Sequence, residues 1–332
     1  MTRIWLNHWF TTAYHIIRMI KERESDFTVI GSNEHPDSVI KNVCDEWHTE
    51  PVLEGQKYWE YCLDFCKREN IDVFLPRRGM LDIARHRKEF EALGVKLMLE
   101  DYETLKILND KANAYAYFKE EGIGNVPEYR IVTTSQGFRE AYEELKEKFK
   151  LVCFKFVKDE GGKSYRLIDN TRKGYAALFK KQNTRMTFQD AYDALSEREE
   201  FAPLIVMPFL SGDEASVDCL QTEDGLIMLP RIKDYTKTEK LRFDPEIVSA
   251  SEAFQHNMKL TQPFNIQFKY LDGVPYFLEV NTRMSGGIHM ACLAGDVNIP
   301  NIAVNKLLGI RKPWKLERQE RNVSQVPFAV IV

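Results

Sequence analysis

The stretch from Phe264 to Gly287, FNIQFKYLDGVPYFLEVNTRMSGG, constrains the fold of this chain more than any other segment. Its two apolar-rich runs, FNIQFKYL and VPYFLEV, are joined at Asp272-Gly273. Asp-Gly between such runs is a strong signal for a β-hairpin. A polar loop with two glycines, NTRMSGG, follows the second run directly. The segment therefore predicts two antiparallel strands with a polar end.

The hairpin carries hard oxygen donors of the kind that Mg²⁺ prefers, namely Gln267, Glu279 and Asn281, with Arg283 close by. Glu279, Asn281 and Arg283 share one face if the chain stays extended, because side chains alternate along a strand. Gln267 joins that face only if the hairpin loop has an odd length. A three-residue loop, or a bulge with Gly273 in the left-handed region, restores the common face, and we predict this arrangement.

An ordinary hairpin with a polar edge is the alternative interpretation, but the spacing of carboxylate, amide and arginine before Gly-Gly is specific. The pattern resembles the metal-binding strand of the ATP-grasp superfamily, which has an acidic residue or Gln, then Glu-x-Asn-x-Arg and a small-residue loop. The version with Gln at the first position resembles the carbamoyl phosphate synthase branch. The resemblance implies that Gln267, Glu279 and Asn281 hold Mg²⁺, with Mn²⁺ as the alternative metal.

The composition of the chain narrows its class. Its 332 residues are enough for two or three domains. A net charge of −4 gives no sign of nucleic-acid binding. We find no apolar run long enough for a bilayer and no signal peptide. Six scattered cysteines fit a reducing compartment, so we expect a cytoplasmic protein with no membrane partner.

The first hundred residues alternate strand and helix patterns, which predicts a parallel sheet with helices on its faces. The predicted strands are 3–6, 27–32, 71–76 and 95–99, and the predicted helices lie before Glu24, at 54–70 and at 80–93. Such domains bind ligands at the carboxyl ends of their strands. No glycine follows the first strand, so an NAD site is excluded. His8 at this point is interpreted as a structural histidine, with a functional role as the alternative.

Two further segments carry basic residues next to predicted strand or helix ends. Arg77 and Arg78 follow the third strand and could hold an anionic substrate group, although a solvated basic turn is an equal alternative. Lys111 lies in the first turn of a helix capped by Asn109 or Asp110, where the helix dipole disfavours a cation. A solvated lysine is the better interpretation of this segment alone, whereas the resemblance to the ATP-grasp superfamily implies that Lys111 contacts a phosphate or nucleotide.

Lys155 lies in an apolar strand, 151–157, where desolvation disfavours a lysine unless an anion meets it. The following loop contains Gly161, Gly162, Lys163 and Ser164, whose backbone N–H groups and hydroxyl could surround phosphates. It is not a Walker A loop, because it leads into a strand. Together with the next strand, YRLI, the segment resembles the phosphate-covering hairpin of ATP-grasp enzymes. Phe156 and Tyr165 depart from the residues common there.

Residues 203–220 resemble the adenine-hinge segment of the superfamily. That likeness implies that Met207, Phe209 and Leu210 line the adenine and that Glu214 holds the ribose hydroxyls. Pro208 stands where many relatives have Glu, which removes an N–H and a side-chain acceptor.

Arg231 and Lys233 have the same parity on a strand and are candidates for phosphate contacts in catalysis, with a solvated face as the alternative. A helix starting near Gly287 presents its N-terminus, together with Ser285 and Gly286, to an anionic substrate group.

Taken together, the motifs predict an α/β protein with an ATP-grasp fold preceded by a Rossmann-like domain. The expected domains are 1–103, a Rossmann-like pre-ATP-grasp domain; 104–202, an ATP-grasp N-terminal subdomain; and 203–332, an ATP-grasp C-terminal subdomain with the metal site. ATP would be held between the two α+β subdomains. Lys111 and Lys155 would hold phosphates, and Arg283 would stabilise the transferring phosphoryl group.

The function implied is an ADP-forming ligase that activates a small-molecule carboxylate as an acyl phosphate and joins it to an amine. The alternatives are an ATP-grasp enzyme that forms carbamoyl or carboxy phosphate or modifies a protein side chain, and a non-catalytic nucleotide-binding regulator. We expect a monomer or homodimer with small-molecule substrates and no nucleic-acid partner.

Overall fold

The computed structural model describes residues 1–158, 163–171, 184–233, 238–326 and 328–331. Gly161 and Gly162 therefore lie outside the described residues, as do residues 172–183. The chain divides into two compact units. Unit 1 comprises Met1–Leu108, Asp213–Phe268 and Glu279–Val332, and unit 2 comprises Asn109–Gly212 and Lys269–Leu278. The division into three domains stays a prediction.

The first sheet, in unit 1, is parallel throughout, with strand order β3-β2-β1-β4-β5. Its strands are β1 (Thr2–Asn7), β2 (Phe27–Asn33), β3 (Glu46–Thr49), β4 (Val73–Leu75) and β5 (Lys96–Leu97). The predicted parallel α/β sheet is confirmed. The sequence patterns missed β3, because EWHT is short and contains a single apolar residue, Trp47.

Helices cover this sheet, namely α1 (Ala13–Ile20), α2 (Gly55–Arg68), α3 (Met80–Arg85), α4 (Arg87–Ala92) and α5 (Tyr102–Leu108), with a 3₁₀ turn at Val39–Asn42. In α1 the buried side chains are Ala13, Ile16, Ile17 and Ile20, the spacing of one helical face. The predicted helix over 80–93 is interrupted at His86, whose φ of −103° and ψ of 23° are not helical.

Unit 2 contains a five-stranded sheet of order β6-β10-β7-β8-β9. Its elements are α6 (Lys111–Glu120), β6 (Arg130–Val132), α7 (Ser135–Lys148), β7 (Val152–Phe156), β8 (Arg166–Ile168), β9 (Arg185–Met186), α8 (Phe188–Ser196) and β10 (Leu204–Pro208). Strands β7 and β8 pair antiparallel, as predicted for the strands on either side of the glycine loop. Aromatic and aliphatic side chains around Phe138 and Phe154 form the core of this sheet.

The third sheet has six strands in the order β15-β14-β11-β12-β13-β16. They are β11 (Glu214–Thr222), β12 (Gly225–Lys233), β13 (Thr238–Leu241), β14 (Phe264–Leu271), β15 (Val274–Asn281) and β16 (Arg321–Ser324). Helices α9 (Pro245–Met258), α10 (Ile288–Gly295) and α11 (Ile299–Leu307) accompany it. Within unit 1, Ile4 of β1, Leu229 of β12 and Ile288 of α10 belong to one hydrophobic cluster. No helix within the described ranges is both long and apolar enough to cross a bilayer.

The turn of the β14–β15 hairpin corrects one expectation. It contains two residues, Asp272 with φ 51° and Gly273 with φ 83°, so the predicted loop length is wrong, although Gly273 is left-handed as expected. Asp-Gly can supply both positive φ angles, which makes a longer loop unnecessary. Along β15 burial alternates through Pro275 and Phe277 and then shifts to Val280. Such a change in the alternation of buried side chains is typical of a β-bulge. The side of the sheet that Glu279 faces therefore does not follow from counting residues from the turn.

Candidate active site

A polar face of the third sheet gathers charged side chains from β11 and β12. Glu214 pairs with Lys233 across the strands, and Ser216 pairs with Arg231. Lys233 Nζ donates to Glu214 Oε1 at 2.8 Å, and Arg231 Nη2 lies 3.4 Å from Ser216 Oγ. The two basic residues therefore face the same side of the sheet, as their spacing predicted.

Arg231 is held as a buried cation, since its side chain is only 1% exposed. Its Nη2 donates to Asp218 Oδ2 at 3.1 Å, and its Nη1 donates to the carboxylate of Glu239. Burial lowers the pKa of Arg231, but Asp218 and Glu239 raise it, and the net change is upward. The guanidinium is thus neutralised by two carboxylates, and a direct phosphate contact by Arg231 stays a prediction.

A buried amide links this cluster to the first predicted metal ligand. Asn265 Nδ2 donates to Ser216 Oγ and to Asp218 Oδ1, both at 3.0 Å. Asn265 Oδ1 accepts from Gln267 Nε2 at 3.3 Å. Because the amide nitrogen of Gln267 is engaged in this way, its carbonyl oxygen is the atom suited to a cation. Sequence reasoning missed Asn265, since no motif marks it.

The other two predicted metal ligands meet on β15, the strand next to β14. Asn281 Nδ2 donates to Glu279 Oε1 at 3.3 Å, so these side chains share a face, as predicted. The donors available to a metal are then carboxylate and amide oxygens, which suit Mg²⁺. The residues present fit the ion that the resemblance implies.

The loop after β15 packs against the loop after β1, within unit 1. The Arg283 guanidinium carbon lies 5.2 Å from the centre of the Phe10 ring, a cation–π contact. A Cβ at Gly286 would lie 3.2 Å from Thr12 Oγ1. These contacts place Arg283 at the carboxyl end of β1.

Ser285 and Gly287 lie against the buried arginine. Ser285 Oγ accepts from Arg231 Nη2 at 3.5 Å. A Cβ at Gly287 would lie 2.6 Å from both terminal nitrogens of Arg231, so only glycine allows this approach. Helix α10 begins at Ile288, directly after Gly287, in agreement with the predicted helix start.

In unit 2, Lys111 is the first residue of α6. Asp110 caps this helix, since its side chain accepts from the N–H groups of Ala112 and Asn113. Of the two predicted caps, Asp110 is therefore the one observed. Lys155 lies on β7 opposite Ile205 and is 9% exposed. A buried lysine of this kind requires an anionic or polar partner.

The described part of the glycine loop contains Lys163 and Ser164. The carbonyl of Lys163 accepts from Arg166 Nη1 at 2.9 Å. Ser164 Oγ accepts from the Phe156 N–H at 2.9 Å, which ties the loop to the end of β7. Burial raises the pKa of the Cys153 thiol to about 12, so this neighbour of Lys155 on the same strand face is an uncharged thiol.

The predicted adenine hinge follows β10. Met207 is buried, and its sulfur accepts from the Tyr115 hydroxyl at 3.9 Å. The Phe209 N–H donates to the Leu151 carbonyl at 2.9 Å. Among the described residues no acceptor is found for the Leu210 N–H, the next donor along the chain. Pro208 lies within β10, so its missing N–H falls in the strand.

At the carboxyl edge of the first sheet, Arg78 is closely held. Its Nη1 contacts the carboxylate of Glu34, and its Nη2 donates to the Leu53 carbonyl at 2.7 Å. The Arg77 N–H donates to Asn7 Oδ1 at 2.6 Å. The basic turn is therefore ordered by its neighbours, and an anion contact by Arg77 or Arg78 stays a prediction.

Comparisons with known proteins bear on the fold of the chain. Residues 200–327 match the family model described as "ATP-grasp in the biosynthetic pathway with Ter operon". N5-carboxyaminoimidazole synthetase from Staphylococcus aureus complexed with ADP superposes with a TM-score of 0.72 at 14% identity, covering 98% of this chain and 82% of that one. The structural similarity shows that the chain has an ATP-grasp fold. The predicted fold is confirmed.

A second ATP-grasp structure, the biotin carboxylase domain of Hydrogenobacter thermophilus 2-oxoglutarate carboxylase, gives a TM-score of 0.68 at 17% identity. It covers 96% of this chain and 72% of that domain, and it was solved with MgADP, ADP and bicarbonate. In sequence, the arginine-specific carbamoyl phosphate synthase large chain of Geobacillus stearothermophilus is 22% identical over 96% of this chain. The chain spans 30% of the length of that relative.

Proposed function

We propose that this ATP-grasp protein is an ADP-forming ligase that activates a small-molecule carboxylate as an acyl phosphate and joins it to an amine. The observation that carries the proposal is the donor set of β14 and β15. Gln267 lies on the strand next to Glu279 and Asn281, the latter two share a face, and Arg283 follows directly. This combination suits phosphoryl transfer and has no evident use in a purely structural hairpin.

In this proposal Gln267, Glu279 and Asn281 hold Mg²⁺, with Mn²⁺ as the alternative. The ion, when bound, would neutralise charge on the phosphates of ATP. With a single carboxylate, Glu279, and two amides, the ligands bring one negative charge to the site. We therefore expect one strongly held ion and a weaker second one.

The nucleotide contacts proposed in unit 2 involve two lysines, a glycine loop and the hinge after β10. Lys111 and Lys155 would neutralise phosphates, and the loop containing Gly161, Gly162, Lys163 and Ser164 would cover them. At the hinge, Met207, Phe209 and Leu210 would line the adenine. The Leu210 N–H is suited to donate to a ring nitrogen of the base, because the Phe209 N–H already donates to the Leu151 carbonyl.

The ribose contact belongs to unit 1. Glu214 would accept hydrogen bonds from the ribose hydroxyls while keeping its ion pair with Lys233. We propose Lys233, which donates to that carboxylate, together with Arg231, as support for the phosphoryl group.

The reaction follows from these roles. A carboxylate oxygen of the substrate attacks the γ-phosphorus, the bond to the bridging oxygen breaks, and ADP leaves. Arg283 donates hydrogen bonds to the transferring group and to the oxyanion formed later at the acyl carbon. The amine then attacks that carbon, the C–O bond to phosphate breaks, and an amide and inorganic phosphate are released. Water must be excluded until the amine arrives.

The substrate's anionic groups would be held at two places in unit 1. Ser285, Gly286 and Gly287 precede α10 and can offer N–H groups and a hydroxyl. Arg77 and Arg78 lie at the carboxyl edge of the first sheet. We further propose a protein of the cytoplasm, in keeping with its free thiols, acting as a monomer or homodimer.

Bicarbonate as the carboxylate is the second candidate, with carboxy phosphate as the intermediate. It is favoured by the similarity to carbamoyl phosphate synthase large chains and to a domain solved with bicarbonate. A protein side chain as the acceptor remains a third outcome of the same assay.

The test is ADP release from MgATP in the presence of pooled acids and amines, with bicarbonate alone as a separate arm and mass spectrometry of each mixture. We expect ADP formation that requires both an acid and an amine, with a product lighter than their sum by one water. ADP formation with bicarbonate alone would select the second candidate. ATP binding without turnover on any pool would contradict catalysis and favour a regulatory protein.

A further inference from the structure

The carboxyl edge of the first sheet contains a histidine–carboxylate pair that the proposed function has not used. His8 Nε2 lies 2.8 Å from Glu50 Oε2, and the Glu50 side chain is fully buried while that of His8 is 15% exposed. The pair lies where open α/β sheets bind ligands, at the ends of their strands.

The directions of the surrounding hydrogen bonds show that Glu50 is an acceptor. Ser32 Oγ accepts from Trp5 Nε1 at 2.7 Å, so its own proton is directed to Glu50 Oε1. The Tyr58 hydroxyl accepts from Asn7 Nδ2 at 2.7 Å, so its proton is directed to Glu50 Oε2 at 2.8 Å. A carboxyl group that receives two donors in this way is best satisfied as the carboxylate.

The carboxylate in turn determines which nitrogen of His8 carries the proton. An unprotonated Nε2 would place its lone pair 2.8 Å from a carboxylate oxygen, which is repulsive. Arg78 Nη1 lies 3.2 Å from the same nitrogen, a longer contact than the 2.8 Å to Glu50 Oε2. Nε2–H therefore donates to Glu50, and the neutral ring carries its lone pair on Nδ1. Among the described residues, Nδ1 has no hydrogen-bond partner.

The backbone holds this ring in a defined position. His8 has φ 50°, an angle uncommon for residues other than glycine, and its N–H donates to the Ser32 carbonyl at 2.9 Å. On either side, Asn7 is bound to Tyr58, and Trp9 Nε1 donates to the Leu75 carbonyl at 2.9 Å. The turn after β1 is thus fixed from both directions.

The same turn lies next to the residue that we assign to the reacting groups. Phe10, two residues after His8, has the Arg283 guanidinium over its ring at 5.2 Å. Both loops belong to unit 1. His8 is therefore on the loop that contacts Arg283, at the edge of the sheet suited to a second substrate.

We propose that His8 is the general base that takes the proton from the attacking amine, and that Glu50 is a positioning residue that fixes the Nδ1 lone pair. This inference rests on the proposed ligase function. As the C–N bond forms, one proton moves from the amine nitrogen to His8 Nδ1, and the C–O bond to phosphate breaks. The imidazolium is stabilised by Glu50 and later returns its proton to water.

Several charged or titratable groups surround His8. They are Glu50 after β3, Arg78 after β4, Tyr58 on α2 and Glu34 after β2. Burial raises the pKa of the Tyr58 hydroxyl, so Tyr58 stays neutral across the working range.

The first part of the test is the tautomer, which needs no substrate. In protein labelled with ¹⁵N-histidine, the His8 signals are assigned by their loss in His8→Asn, a substitution that tolerates a positive φ. We expect an unprotonated Nδ1 and a protonated Nε2 at alkaline pH, and a shift of the proton to Nδ1 in Glu50→Gln. A wild-type ring protonated on Nδ1 would overturn the proposal.

The second part distinguishes loss of the general base from loss of carboxylate activation. It compares the amine found in the ligase assay with hydroxylamine, a nucleophile that is largely uncharged at neutral pH. We expect His8→Asn to lose about 100-fold or more in amide formation while hydroxamate formation stays within about threefold. Glu50→Gln should show the same split, and Glu50→Asp should restore part of the amide rate. His256→Asn, at an exposed position on α9, is the matched control and should change neither rate.

Three other outcomes would overturn the proposal. Equal loss of both products in His8→Asn would show a structural histidine, and unchanged amide formation would show that another base acts; either result overturns the proposal but leaves the ligase function intact. Wild-type protein that forms neither product with any acid would overturn the ligase function and this inference together.

Discussion

At the scale of single residues, Arg231 shows how a motif residue can have a role other than the one its spacing suggests. Its alternation with Lys233 correctly predicts a common face. The structure adds that Arg231 is buried between Asp218 and Glu239. A buried carboxylate without a cation beside it would be unfavourable. The arginine therefore fixes the cluster that ends at Gln267, in addition to any contact with substrate.

Substitution of Gly287 tests the packing against this arginine. In Gly287→Ala the new methyl group would lie 2.6 Å from the Arg231 guanidinium, which two carboxylates hold in place. We expect a loss of about 1–3 kcal/mol in the free energy of unfolding, measured by urea denaturation. Gly286→Ala is the control, because its methyl group would lie 3.2 Å from the Thr12 hydroxyl, which can move. Equal stability of Gly287→Ala and wild type would contradict the close approach.

Glu279 is the only carboxylate among the proposed metal ligands, so its neutralisation tests the site directly. We expect Glu279→Gln to lower ATP turnover by about 100-fold or more with little change in thermal stability. Glu143→Gln, an exposed position on α7, is the control. Full activity in Glu279→Gln would remove the metal assignment.

At the scale of elements, the β14–β15 hairpin carries the site. Its tight turn requires two residues with positive φ, and Asp-Gly supplies them. The change in burial phase after Phe277 then alters which side Glu279 faces. Whether Gln267 shares the face of Glu279 and Asn281 thus depends on both the turn and the irregularity within β15.

The turn makes a separate prediction. Gly273→Ala places a Cβ at φ 83° and should destabilise the protein by about 1–2 kcal/mol, as judged by urea denaturation. Asp272→Asn should stay within about 0.5 kcal/mol of wild type, because Asn-Gly favours the same turn. A Gly273→Ala protein as stable as Asp272→Asn would show that the two-residue turn is absent.

At the scale of the whole molecule, much of the architecture follows from local patterns. The alternation of strands and helices predicted the parallel sheet, and Asp272-Gly273 predicted the hairpin. Strand β3 escaped prediction because EWHT lacks an apolar alternation. The domain boundaries placed at 103 and 202 rest on motif order, whereas Ile4 and Ile288 belong to one cluster although they are distant in sequence.

The shared face of Glu279 and Asn281 was predictable because the two residues stand close together in one sequence motif. The candidate site was not predictable where partners come from separate strand ends. His8 was interpreted as structural because nothing near it in sequence indicates a carboxylate. Its partner Glu50 arrives only when β1 and β3 are brought into one sheet.

Stability as a function of pH tests the packing of α1 against α10, where the rings of His15 and His289 stack at 4.2 Å. Burial, followed by His15 and then Arg231, lowers the pKa of His289 from 6.5 to about 4. Because the folded protein holds this ring neutral, its contribution to stability is present above pH 6.5 and is lost as the pH falls towards 4. Allowing for partial solvent screening, the loss is about 1–2 kcal/mol.

The comparison variant is His289→Phe, which keeps an aromatic ring and cannot titrate. Urea denaturation at pH 7.5 and pH 4.5 should show a larger fall for wild type than for His289→Phe. An identical fall in both proteins would show that His289 is protonated as readily in the folded state as in the unfolded chain.

The central claim is that the chain activates a carboxylate by transferring the γ-phosphoryl group to it. The most direct measurement uses an acid labelled with ¹⁸O in its carboxylate, together with MgATP and the amine, followed by mass spectrometry of the phosphate released. We expect one ¹⁸O atom to move from the carboxylate of the acid to the released phosphate for each ADP formed. Product formation with unlabelled phosphate would contradict an acyl phosphate and, with it, the mechanism assigned to this site.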